Sequence, residues 1–222
     1  INLFAQGMVT KGGVKMSKSK GNVVSPRDII QKYGADTVRI FILFAGPPEL
    51  DMEWSDRGVE GAHRFLNRVW RAVTEIIRCQ ENEQAKPDYE KIGALERVIH
   101  RTILKVDTDI RERFHFNTAI SSLMELLNEI FDAYRFFSEK GIHPREKEIL
   151  TEAAKALISL LNPFVPHLTE ELWRALGETS FLSTSKWLTH DEEKLAEKSV
   201  EVVIQINGKV RSKVTVSANA DE

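Results

Sequence analysis

The chain has 222 residues, which is enough for one or two domains, and its formal net charge is −2. It is 42% hydrophobic and 29% charged, as is common for globular proteins, and no apolar run is long enough to span a membrane. The single cysteine, Cys79, excludes an internal disulfide, and the six histidines show no metal-ligand spacing. We therefore expect a cytoplasmic protein without a bound structural metal.

The weakly acidic total charge coexists with a basic segment near the start of the chain. Between residues 11 and 39, seven basic residues stand against two acidic ones, which gives a local charge of +5. Local fields, rather than the total charge, steer a polyanion. This segment can therefore attract phosphate groups.

The most informative stretch is GGVKMSKSKGN, residues 12–22, which has no hydrophobic period. Lysines supply charge, serines supply hydroxyl donors, and glycines let the backbone approach a phosphate closely. The spacing does not match the Walker A pattern, so a P-loop NTPase is not indicated. Taken alone, such a run is more typical of a solvated linker or a basic targeting patch.

Two short helices are predicted directly after this stretch. The first begins at Pro26 after the capping residue Ser25 and ends at Gly34. The second opens at Asp36 and ends before residues 46–48, Gly-Pro-Pro. Because a linker is rarely fixed to buried helices, this context favours a functional loop on a rigid mount.

A helical bundle is predicted next. Apolar residues recur at three- and four-residue steps in three long segments, and two shorter helices are predicted after them. Short connections favour antiparallel neighbours, hence a bundle. The five predicted helices cover Val59–Ile76, Ile92–Ile110, Ala119–Tyr134, 145–161 and 166–176.

A β-hairpin is predicted at residues 200–216, around Asn207-Gly208. A two-residue loop would place apolar residues opposite charged ones. A three-residue loop, which pairs Ile204 with Val210, avoids this and is the preferred prediction.

The run KMSKSKGNVVSPRDIIQKYGADTVR, residues 15–39, resembles class I aminoacyl-tRNA synthetases of the Leu/Ile/Val/Met group. The segment FAGPPELDMEWSDRGVEGAHRFLNRVW, residues 44–70, is more selective and resembles leucyl-tRNA synthetases of the bacterial type. Further family segments recur at 116–120, 161–173 and 205–211, so the resemblance covers nearly the whole chain.

The family's His-x-Gly-His motif, leucine pocket and editing domain have no counterpart in this sequence. The resemblance therefore predicts a C-terminal part, either an excised fragment or one chain of a split enzyme. The missing catalytic part would lie on the same parent chain or on a second subunit. This chain alone is expected to be inactive.

The resemblance implies a mainly α protein built around an antiparallel bundle of the anticodon-binding type. Residues 1–57 would be the end of the catalytic domain with the KMSKS loop and junction helices. Residues 58–182 would be the helical bundle, and residues 183–222 a linker with a truncated C-terminal β-hairpin domain of α+β type.

The function that the resemblance implies is ATP-dependent activation of leucine and its transfer to tRNA(Leu). Lys18 is the first candidate for binding the ATP phosphates and Lys15 the second. Met16, Ser17 and Ser19 complete the ATP-binding loop, and Mg²⁺ would accompany ATP.

The candidate tRNA-binding residues are Arg64, Arg68 and Arg71, on the polar side of the first bundle helix. The alternative is a solvated helix face with intrahelical ion pairs. Trp54 and Trp70 are predicted to pack against the protein rather than to stack on bases.

Two other functions remain open. A non-catalytic RNA-binding helical module would use the lysines only on backbone phosphate and would show steep salt dependence. A synthetase for isoleucine, valine or methionine would keep the chemistry but change the amino acid. The Pro-Pro-Glu and Glu-Trp-Ser-Asp segments argue against that second alternative.

Overall fold

The computed structural model describes residues 6–195 and the backbone of two further strands, 199–206 and 209–217. The chain divides into two units, Ile1–His190 and Asp191–Glu222. The division at residues 57 and 182 stays a prediction.

A small three-stranded sheet lies at the start of the first unit. Its central strand β1 (Val9–Lys11) pairs antiparallel with β2 (Val14–Lys15). Two helices follow β2, α1 (Pro26–Tyr33) and α2 (Ala35–Phe44), as the sequence predicted. After them, β3 (Met52–Glu53) returns to pair parallel with β1.

Five longer helices follow β3, and they confirm the predicted bundle. Serine, aspartate and histidine side chains cap three of them: Ser55 caps α3, Asp88 caps α4, and His143 forms a capping box at α6. The helices are α3 (Asp56–Arg78), α4 (Tyr89–Thr108), α5 (Phe116–Ser138), α6 (Pro144–Leu161) and α7 (Pro166–Ala175).

One apolar core joins the bundle to the segment that carries the lysines. Bundle side chains such as Val69, Leu123 and Leu157 are fully buried. Ile40 and Phe41 of α2 are buried in the same core, with exposed fractions of 1% and 5%. The helices that follow the lysines are therefore packed on the bundle, which supports the predicted rigid mount for the loop.

The connection between α4 and α5 departs from regular helix. Residues Asp109–Arg113 form a π-helical turn, and Phe114 follows with a φ of 55°. The Asp109 carboxylate is fully buried and accepts hydrogen bonds from Thr118 Oγ1 and Lys105 Nζ, both over 2.6 Å. These bonds stabilise the π-helical turn.

The second unit contains a short helix, α8 (Glu192–Leu195), and two antiparallel strands, β4 (Ser199–Ile206) and β5 (Lys209–Ser217). The strands confirm the predicted hairpin. Asn207 and Gly208, on which the loop prediction fell, lie outside the described residues.

The register of the hairpin shows that the preferred three-residue loop was wrong. Ile206 pairs with Lys209, as a two-residue loop requires, and an irregularity between Ile204 and Gln205 then shifts the register by one residue. Beyond this bulge, valines occupy paired positions: Val202 with Val214 and Val200 with Val216. A bulge thus matches the apolar positions without a longer loop.

A membrane-crossing segment was not found in the described part of the chain, where no helix combines the necessary length with the necessary apolarity.

Candidate functional site

The turn between β1 and β2 leads the chain into the lysines. Gly12 and Gly13 form it with φ values of 65° and 70°, a conformation that favours glycine. The Glu53 carboxylate accepts hydrogen bonds from both glycine N–H groups and from the Thr10 hydroxyl. The Thr10 bond is the main cause that holds the pKa of Glu53 below its ordinary value, against an opposing effect of desolvation.

The lysine loop, defined here as residues 15–19, is closed by the side chain of Asn22. Its Oδ1 accepts the Ser17 N–H over 2.8 Å, and its amide nitrogen lies 3.3 Å from the Lys15 carbonyl oxygen. The hydroxyls of Ser17 and Ser19 are hydrogen-bonded at 2.6 Å. A 3₁₀ turn at Lys18–Lys20 completes the loop. The loop therefore has a defined backbone shape.

The cationic side chains of this loop face solvent. Lys15, Lys18 and Ser19 are exposed, whereas Met16 and Ser17 are half-buried. Among the described residues, no carboxylate forms an ion pair with Lys15 or Lys18. Both ammonium groups are thus available to an anion from outside the chain, which suits a phosphate-binding loop.

The three candidate arginines lie on one exposed stripe of α3. The guanidinium carbons of Arg68 and Arg71 lie 5.4 and 4.9 Å from the ring centroid of Phe131 on α5. This places two cations close to one aromatic ring at an open groove between α3 and α5. Arg64 lies one turn earlier on the same stripe.

These arginines also form part of the solvated network that the alternative interpretation predicts. Arg71 Nε lies 3.8 Å from the Glu75 carboxylate, and Arg68 donates to Asn128 Oδ1 over 2.6 Å. Such exposed contacts contribute little and are readily exchanged for contacts to a phosphate. The role of the arginines in tRNA binding stays a prediction.

The two tryptophans behave differently. Trp54 packs as predicted: its ring lies edge-on to Phe41 at a centroid distance of 5.0 Å, and its Nε1 donates to Asp56. Trp70 is 42% exposed and therefore only partly covered by the protein, so its role as a packing residue stays a prediction. It follows the buried Val69 and lies at the edge of the apolar face of α3, beside an open groove.

Sequence reasoning did not single out Glu53, Asn22 or Phe131. Asn22 was the most predictable of the three from the sequence, because an asparagine beside a glycine in a loop often closes a turn through its side chain. Glu53 and Phe131 act on residues that are distant in sequence, and neither carries a local signal.

Two family models match the chain. Residues 94–222 match the anticodon-binding domain of tRNA ligase, and residues 1–55 match the class I tRNA synthetases for I, L, M and V. The arginine stripe of α3 lies between the two matched ranges.

Three similar proteins are named leucine–tRNA ligases. The chain is 50% identical to the leucine–tRNA ligases of a Geobacter species and of Citrifermentans bemidjiense, and 49% identical to that of Geotalea daltonii. Each match covers 100% of this chain and 27% of the relative, so the chain spans about a quarter of the length of these proteins.

A solved structure shares the fold. The LeuRS of Agrobacterium radiobacter, crystallised as a ternary complex with tRNA and LeuAMS, matches with a TM-score of 0.81 and 32% identity. The match covers 99% of this chain and 28% of that protein. Because the anticodon-binding model spans more than half of the residues and the relatives agree along the whole sequence, the predicted family is confirmed: the chain belongs to the anticodon-binding-domain family of tRNA ligases and is homologous throughout to leucine–tRNA ligases.

Proposed function

We propose that this chain supplies two parts of a leucine–tRNA ligase: the loop that binds the ATP phosphates and the helical surface that binds tRNA(Leu). The observation that carries the proposal is the pair of exposed lysines, Lys15 and Lys18, on a loop of defined shape that is mounted on the bundle core. The likeness to leucine–tRNA ligases supports leucine as the amino acid.

In the first step, the leucine carboxylate attacks the α-phosphorus of ATP and pyrophosphate leaves. Negative charge accumulates on the leaving phosphates as the bond breaks. An ammonium group that meets those oxygens more closely in the transition state lowers the barrier. Lys18 is proposed for this contact and Lys15 for a second one, since both are free of ion pairs within the described residues.

The serines and Met16 support the two lysines. The Ser17–Ser19 hydroxyl pair can direct one O–H outward while the other donates within the pair. Met16, between the two lysines in the loop, is half-buried. The Mg²⁺ that accompanies ATP would be held largely by phosphate oxygens and water.

In the second step, a hydroxyl of the terminal tRNA ribose attacks the carbonyl carbon of the adenylate and AMP leaves. The bundle would hold the tRNA by phosphate contacts, for which Arg64, Arg68 and Arg71 are the proposed residues. Two of these guanidinium groups, those of Arg68 and Arg71, lie close to the ring of Phe131. The proposal also includes a cytoplasmic location. It requires that the part with the His-x-Gly-His motif come from the same parent chain or a second subunit.

The test uses the parent enzyme that contains this sequence. Pyrophosphate exchange should depend on leucine and prefer it to isoleucine, valine and methionine by at least on the order of 10²-fold. Charging should be confined to tRNA(Leu), and the 222-residue chain alone should show no exchange. Exchange that prefers another of these amino acids would contradict the choice of leucine. Salt-sensitive RNA binding without any exchange would favour the non-catalytic module.

A further inference from the structure

Asp36 of α2 caps a helix that lies far away in the sequence. Its Oδ2 accepts the N–H of Leu168 over 2.7 Å, and its Oδ1 lies 2.8 Å from His167 Nδ1. Both partners belong to the first turn of α7, whose N-cap residue Val165 provides no side-chain bond. A carboxylate satisfies the free N–H groups at a helix N-terminus and interacts favourably with its dipole. Asp36 is 8% exposed, so this cap is largely shielded from water.

Arg39, one turn later on α2, binds the chain just before α7. Its Nε donates to the Phe164 carbonyl and its Nη2 to the Pro163 carbonyl, each over 2.9 Å. Both carbonyls lie after the end of α6 at Leu161. The planar guanidinium group holds two acceptors in a fixed geometry, which a lysine could not reproduce.

The two side chains together determine the position of α2. They are three residues apart and therefore lie on the same side of the helix. The carboxylate accepts one backbone N–H and contacts the His167 ring, whereas the guanidinium group donates to two backbone carbonyls; the two sets of partners lie on opposite sides of residue Val165. A slide or a rotation of α2 would break bonds at both points. We call this set of contacts, from Asp36 and Arg39 to residues 163–168, the α2 clamp.

The clamp is linked to the lysine loop through α1. Gly34 alone separates α1 from α2, and the Thr37 hydroxyl donates to the Tyr33 carbonyl at the end of α1 over 2.7 Å. The start of α1 at Pro26 closely follows the lysine loop and Asn22 in the chain. A displacement of α2 would therefore be passed to α1 and to the base of the loop.

We propose that Asp36 and Arg39 are positioning residues that fix the orientation of the lysine loop relative to the helical bundle. The catalytic role of the lysine loop in this proposal rests on the proposed function. Neither residue would touch ATP. The clamp would act by holding the α1–α2 pair, and hence Lys18, in the orientation that the activation step requires.

The first test measures amide hydrogen exchange on the 222-residue chain and does not depend on any activity. Asp36→Ala and Arg39→Ala should each speed hydrogen exchange in α1 and in residues 15–22 by at least roughly tenfold, since a charged hydrogen bond contributes about 1.5–3 kcal/mol. Exchange in α4 and α5 should stay unchanged. Asp132→Ala and Arg101→Ala, on exposed helix positions, are the matched controls and should have no effect on the loop. Unchanged exchange at the loop, or an equal increase in every helix, would overturn the clamp.

The second test measures kinetics in the parent enzyme. Asp36→Ala and Arg39→Ala should each lower the kcat of leucine-dependent pyrophosphate exchange about tenfold. The KM for leucine should stay constant, because the leucine pocket is not displaced. Arg39→Lys should not restore the rate, since lysine cannot bind both carbonyls. Faster hydrogen exchange at the lysine loop together with a normal kcat would overturn the positioning role. A parent enzyme without leucine-dependent exchange would refute the proposed function, while the hydrogen-exchange result would still decide the clamp.

Discussion

Asn22 closes the lysine loop by accepting the backbone N–H of Ser17 over 2.8 Å. The same side chain lies 3.3 Å from the Lys15 carbonyl oxygen through its amide nitrogen. One residue outside the loop therefore satisfies backbone groups at two of its positions. Without the Asn22 side chain, the Ser17 N–H and the Lys15 carbonyl would hydrogen-bond to water, and the loop would sample more conformations.

Asn22→Ala should loosen the loop without unfolding the protein. The loss of these bonds is expected to cost about 1 kcal/mol locally, which corresponds to roughly fivefold faster hydrogen exchange at the Ser17 amide. Asn22→Asp keeps the acceptor for this amide and is the matched control. Protection of Ser17 that is equal in Asn22→Ala and in the natural protein would show that the side chain does not close the loop.

Glu53 should titrate below its ordinary pKa of 4.5, because the Thr10 hydroxyl and the Gly12–Gly13 turn bind its charged form. A lowered pKa in the folded state means that its stabilising effect is complete above pH 4.5 and is lost as the pH falls through the lowered value. Carboxyl-carbon NMR titration of Glu53 gives the pKa directly. In Thr10→Val, the pKa should move up towards its ordinary value. A Glu53 pKa at or above 4.5 in the natural protein would contradict the turn contacts.

The helices were largely predictable because their signals are local. Three signals each act within one or two turns: Pro26 after Ser25, the Gly-Pro-Pro break at residues 46–48, and the three- and four-residue apolar spacing. Ser25 occupies the cap position as expected, although its side chain makes no capping bond.

The features that were missed depend on residues far apart in the sequence. Glu53 reaches back about forty residues to the Gly12–Gly13 turn, and Asp36 caps a helix more than 130 residues later. The bulge beside Gln205 changes the hairpin register without changing the strand pattern.

The arginine stripe should contribute phosphate contacts to tRNA binding. Arg68→Ala and Arg71→Ala should each weaken binding and lower the slope of log affinity against log salt by about 0.7–0.9. The exposed Arg101→Ala on α4 is the control with an equal charge change. Filter binding at several salt concentrations gives the slopes. If the slopes for Arg68→Ala and Arg71→Ala match that of the control, these arginines belong to a solvated helix face and do not contact tRNA phosphates.

The bundle should depend on α5, which carries much of its core. Leu127 is fully buried, so Leu127→Ala should lower the free energy of unfolding by about 2–5 kcal/mol. Leu104 on α4 is 37% exposed, and Leu104→Ala should cost far less. Urea unfolding of the two variants, followed by circular dichroism, measures the difference. Equal losses would contradict the burial that defines the core.

The central claim is that Lys18 stabilises the charge that develops on the ATP phosphates. In the parent enzyme, Lys18→Ala should slow single-turnover formation of leucyl-adenylate on the order of 10²–10³-fold, as for the loss of one transition-state donor. The melting temperature should not change, because Lys18 is exposed. Lys20→Ala, in the same 3₁₀ turn but outside the loop, should have a much smaller effect. A normal rate of adenylate formation in Lys18→Ala would contradict the account.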